Sequence, residues 1–86
     1  MNVNCTLVST LPAQGHPVPG TIERVVDVSI QPGGYAFSVR VRQNQHGTFF
    51  ADEDWTALSA DPQLKTAVVT IVKEFVEKHG KPMQIP

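Results

Sequence analysis

Hydrophobic and polar residues alternate along the first half of the chain, and a helical period replaces the alternation in the second half. Val3, Cys5 and Leu7 are interleaved with Asn2, Asn4 and Thr6, the two-residue period of a strand with one buried face. Residues 11–20 carry Pro12, Gly15, Pro17, Pro19 and Gly20, a density that blocks helix and central strand alike and predicts a loop. Over residues 21–30, Ile22, Val26, Val28 and Ile30 keep one parity while Glu23, Asp27 and Ser29 take the other. Arg24 interrupts the apolar side near the strand end, where its stem is expected to carry the charge out to solvent.

Gln31, Pro32, Gly33 and Gly34 then form a turn, with proline fixing one backbone angle and glycine accepting positive φ. A simple type II turn would splay a two-residue hairpin, so a longer loop or a bulge is expected. Residues 35–42 give the clearest strand, with Tyr35, Phe37, Val39 and Val41 on one side and Ala36, Ser38, Arg40 and Arg42 on the other. Residues 43–47 turn again, and a short fourth strand covers residues 48–51.

Two helices follow. Asp52, Glu53 and Asp54 place negative charge at the start of a short helix over residues 53–59. Asp61 suits the N-cap of a longer one, Pro62 its first position, Gly80 its left-handed stop, and Pro82 prevents continuation. Between them Leu64, Val68, Ile71 and Phe75 fall at helical spacing, flanked by Ala67, Val72 and Val76. The fold class is therefore α+β: a four-stranded antiparallel β-meander over residues 2–9, 21–30, 35–42 and 48–51, a short helix, and a C-terminal amphipathic helix over residues 62–79 covering one sheet face. Phe37 and Phe75 are the expected core anchors; if fully buried, either would cost about 3–5 kcal/mol on truncation to alanine.

Eighty-six residues form one domain, residues 1–86, and 41% hydrophobic against 17% charged residues places the chain among folded proteins. Seven basic and eight acidic side chains supply no overall field for a polyanion. Residues 1–9 lack the basic and apolar regions of a secretory signal, and no apolar run approaches the roughly 20 residues that span a bilayer. A soluble cytoplasmic protein with no membrane partner is expected. The single cysteine, Cys5, agrees with a reducing compartment.

Chemistry-bearing patterns are sparse. His16, His46 and His79 have no partner at a metal-ligand spacing. Cys5 shares the parity of Val3 and Leu7 and reads as a small core hydrophobe. Asp52, Glu53 and Asp54 diverge in direction at a helix start, and Gly33 and Gly34 lack the strand, helix and lysine of a phosphate loop. No catalytic, cofactor or metal residue is assigned.

The outer sheet face is the more informative surface. Ser38, Arg40 and Arg42 point away from the helix, and the neighbours Phe49 and Phe50 cannot both face the core. With Phe50 outward beside Arg40, and Trp55 either extending the patch or plugging the core, the candidate partner-binding set is Arg40, Arg42, Phe50, Ser38 and Trp55. A paired, solvated face competes with that reading, because closing the first hairpin at residues 32 and 33 sets Glu23 opposite Arg42 and Asp27 diagonal to Arg40. The first and fourth strands are candidate edges, and self-association through residues 2–8 would give a symmetric dimer.

The functional expectation is a small non-catalytic protein-binding or regulatory module acting through the open sheet face or an edge strand, with residues 11–20 as a further docking segment. The alternative is a small enzyme or ligand-binding domain whose site forms in a homo-oligomer, with Tyr35, Arg24 and His16 as its polar groups. Nucleic-acid binding through Arg24, Arg40 and Arg42 is disfavoured by the near-neutral charge and by the missing pattern of stacking aromatics.

Overall fold

The computed structural model describes residues 1–78, so the expected helix stop at His79, Gly80 and Pro82 lies outside the described residues. Four strands, β1 (Asn2–Pro12), β2 (Ile22–Gln31), β3 (Tyr35–Asn44) and β4 (Gly47–Phe50), form one antiparallel sheet in sequence order. A 3-10 helix (Asp52–Leu58) and then α1 (Pro62–Glu77) complete the α+β fold. The short helix is 3-10 rather than α, and no side chain caps its start at Ala51. Asp61 does cap α1, accepting the Leu64 N–H at 3.1 Å ahead of Pro62. None of the helices is long and apolar enough to cross a membrane among the described residues.

Register follows the alternation. Glu23 pairs with Arg42, Val26 with Val39 and Ile30 with Tyr35, leaving residues 31–34 as the hairpin loop with a cis Gln31–Pro32 bond and positive φ at Gly33 and Gly34. The β3–β4 hairpin is tighter: Asn44 pairs with Gly47, and the Asn44 Oδ1 accepts the His46 N–H at 2.8 Å across the turn.

β1 runs further than its alternation suggests, out to Pro12 opposite Ile22. An edge strand tolerates proline because the missing N–H can face outward. The expected loop accordingly shrinks to residues 13–21, closed by Ala13 N–H on Thr21 O at 2.9 Å. Between Leu7 and Ser9 the register shifts, and Val8 stands out as a bulge, 55% exposed.

The core lies between the inner sheet face and the two helices: Val26, Val28 and Ile30 of β2, Val39 and Val41 of β3, Trp55 and Leu58, and Val68, Val72 and Val76 of α1. The buried stripe of α1 is thus centred on three valines, while Leu64, Ile71 and Phe75 are half-buried on its flank and Ala67 is exposed. Phe37 and Phe75 are both half-buried and fall short of the fully enclosed anchors expected. Trp55 takes that role. It is the largest fully buried side chain, and Phe37 and Phe50 meet its ring edge-on, each at 5.6 Å between centroids.

Candidate functional site

Of the residues expected to form an outer-face binding patch, Ser38, Arg40 and Arg42 lie on the exposed face, while Phe50 and Trp55 face the core. Trp55 is 2% exposed and plugs the core, and Phe50 turns inward beside it because it pairs with the inward-facing Val41. Phe49, opposite Arg42, is the aromatic that faces solvent, at 49% exposure. Ser38 donates to the carboxylate of Asp27 directly across the strand pair. Arg42 pairs with Glu23 at 3.4 Å, as the hairpin closure implied.

Arg40 engages Asp54 instead of Asp27. Its Nε and one terminal nitrogen grip the two Asp54 oxygens at 3.2 and 3.1 Å, and that terminal nitrogen also reaches Glu53 at 3.4 Å. The Arg40 backbone N–H donates to the same Asp54 carboxylate at 3.0 Å. Burial pushes Asp54 up, yet the hydrogen bonds from the Arg40 side chain and backbone together outweigh it and hold the carboxyl below its ordinary range. The acidic trio therefore splits in role, with Asp54 as a clasp on β3.

The polar groups of the enzyme alternative stand apart. Tyr35 lies at the β2–β3 hairpin, at the opposite end of the sheet from Arg24 and His16. The His16 Nδ1 accepts the Val18 N–H at 3.1 Å inside its own loop. Arg24 does not reach solvent; it is 6% exposed, donating to Gln43 Oε1 at 2.6 Å and to the Val76 carbonyl near the end of α1 at 2.8 Å. Gln43 continues to Thr48, and Thr48 to Glu77, so a chain of hydrogen bonds ties the helix end to the sheet. Burial lowers the Arg24 pKa, and the helix carbonyl is where a cation is favourable. Among the described residues no cluster of three His, Cys, Asp or Glu side chains could hold a metal ion.

Among the described residues, nothing pairs with the outer edge of β1. The Arg40 N–H points away from β2, so its pairing with Val25 is a non-hydrogen-bonded one. Alternation along the ladder then directs Val25, Asp27 and Ser29 toward β1, where Thr6 and Asn4 answer Asp27 and Ser29. The N–H and C=O groups of Val3, Cys5 and Leu7 are the ones that face the open edge. No Asp, Glu, Lys or Arg occurs before Glu23, so this strand has none of the charges that commonly guard an edge. A shallow groove beside it is lined by Val3, Cys5, Ile71, Glu74, Phe75 and Lys78. Burial there raises the Cys5 thiol pKa and keeps it protonated at neutral pH, as suits a packing residue.

Ile71 and Phe75 were legible as apolar positions, but their place beside β1 depends on how α1 is rotated over the sheet. The missing charge in β1 was a readable signal of the bare edge. Compared with known protein families, curated proteins and solved structures, the chain matches none.

Proposed function

We propose that this chain works as a non-catalytic polypeptide-binding module whose docking line is the free edge of β1. The observation that carries the reading is the uncharged strand Asn2–Pro12, with the backbone groups of Val3, Cys5 and Leu7 directed outward beside an apolar groove. A strand added there gains main-chain hydrogen bonds, while alternate side chains enter the groove next to Ile71 and Phe75. Pairing ends at Val8, where the bulge turns the edge away.

Amide hydrogen exchange in the presence of extended peptides selected from a random library tests this. The Val3, Cys5 and Leu7 amides gain protection on binding, while those of Asn4 and Thr6, already paired with β2, change little. Protection centred on Phe49 and Arg42 would instead transfer the binding role to the outer face.

That outer face supports a second reading, because the exposed Phe49 stands beside Arg42 in a cleft of about 160 Å³ also lined by Glu23, Arg40 and Glu53. Small-ligand pockets begin near 300 Å³, so a side chain of a protein partner suits this cleft better than a cofactor. The arginines of the nucleic-acid reading are each engaged internally: Arg24 with Gln43 and Val76, Arg40 with Asp54 and Glu53, and Arg42 with Glu23. Phosphate contacts would have to compete with those partners.

A further inference from the structure

We infer that the occupant of the β1 edge is a second copy of this chain, paired antiparallel about a two-fold axis through Cys5 to give a continuous eight-stranded sheet. The inference rests on the edge reading above and adds the partner and the register. Two features fix the register. Only residues 2–7 of β1 are regular before the bulge at Val8. Within them the outward backbone groups belong to Val3, Cys5 and Leu7, so centring the axis on Cys5 sets Val3 against Leu7 of the second copy and Cys5 against Cys5, engaging every open residue. Centring it on Asn4 or Thr6 leaves part of that regular stretch unmatched.

Side-chain chemistry agrees with that register. On the inner face, half-buried Val3, Cys5 and Leu7 meet only one another. On the outer face, exposed Asn4 meets Thr6 of the second copy, a polar pair. A charged partner would find no complement along the strand, whereas a second copy is as uncharged as the first. The groove rim does carry charge, one residue of each sign, Glu74 and Lys78. A two-fold turn runs the two α1 helices antiparallel, bringing Glu74 of each copy toward Lys78 of the other and continuing the half-buried Ile71 and Phe75 into the interface.

Sedimentation equilibrium over a dilution series, joined to isotope-filtered NMR on a mixture of labelled and unlabelled chains, tests the proposal. The expected result is a mass of two chains and inter-copy contacts between Val3 and Leu7 methyl groups. Asn4→Lys with Thr6→Lys sets like charges directly opposite across the axis at exposed positions, and is expected to raise the dimer dissociation constant at least about tenfold while the circular dichroism of the folded chain is retained. Glu74→Lys alone weakens the dimer, and adding Lys78→Glu restores it.

A chain that stays monomeric at millimolar concentration overturns the proposal. If such a monomer still shows protected Val3, Cys5 and Leu7 amides with an added peptide, the edge reading stands and only the second copy falls. A dimer indifferent to Asn4→Lys with Thr6→Lys overturns the self-pairing, and inter-copy contacts other than Val3 to Leu7 overturn the register.

Discussion

The two edges of the sheet are finished in opposite ways. On the β4 side the last strand is only Gly47–Phe50, the 3-10 helix follows β3 where β4 ends, and the Asp54 carboxylate takes the Arg40 N–H that a neighbouring strand would otherwise seek. Arg40, Glu53 and Asp54 surround that edge with charge. On the other side β1 is long, uncharged and flanked by apolar side chains of α1. Guarding an edge takes local means, namely a short strand, a cover and a charge. Among the described residues the β4 side has all three, and β1 has only its bulge.

Perturbing the guarded edge is therefore expected to cost stability, and perturbing the open one to cost association. The largest effect is expected at Trp55, which seats the 3-10 helix against Phe37 of β3 and Phe50 of β4. Trp55→Ala is expected to lower unfolding free energy by about 3–5 kcal/mol in urea titration. Trp55→Phe retains an aromatic ring and removes an indole N–H that finds no acceptor among the described residues, so its cost should be less than half as large.

Next comes Arg24→Ala, which breaks the link from Gln43 to the α1 carbonyl; a loss of about 2–3 kcal/mol is expected in the same titration. A loss below 1 kcal/mol would show that α1 stays seated without it.

Asp54→Asn should cost about 1 kcal/mol at neutral pH, since one backbone hydrogen bond and a half-exposed ion pair are weakened. The Asp54 pKa is lower folded than its ordinary 3.8, so its contribution is complete above that value and disappears as pH falls through the folded value. The stability gap between wild type and variant should accordingly be constant near neutrality and close in acid. A gap that persists unchanged below the folded pKa would remove the charge from the explanation.

The smallest effects belong to the outer face. Arg42→Gln and Phe49→Ser are each expected to change stability by no more than about 0.5 kcal/mol, as the Glu23–Arg42 pair is exposed and Phe49 is half in solvent.

Much of this architecture was legible as period. The parity of Tyr35, Phe37, Val39 and Val41 located β3, and closing the hairpin at residues 32 and 33 gave the Glu23–Arg42 pair that the structure contains. What periodicity does not carry is direction at the ends of elements. Phe49 and Phe50 are one residue apart, and only the register of β4 on β3 decides which faces Trp55. Arg24 looked like a strand-end arginine bound for solvent, but α1 lies over it and offers a carbonyl, a partner 52 positions away that no local pattern records. The rotation of α1 likewise shifts burial from Ile71 and Phe75 to Val68, Val72 and Val76, and this leaves the two larger side chains on the β1 flank.

The Asp54 clasp also governs how far assembly can proceed. A sheet with two bare edges can add copies head to tail without end, whereas a sheet with one bare edge can only close on itself. By taking the Arg40 N–H, one carboxylate occupies a β3 group just beyond the reach of the short β4 and sets negative charge at that edge. If copies pair through β1 as proposed, Asp54 would act against further growth from the far side of the molecule.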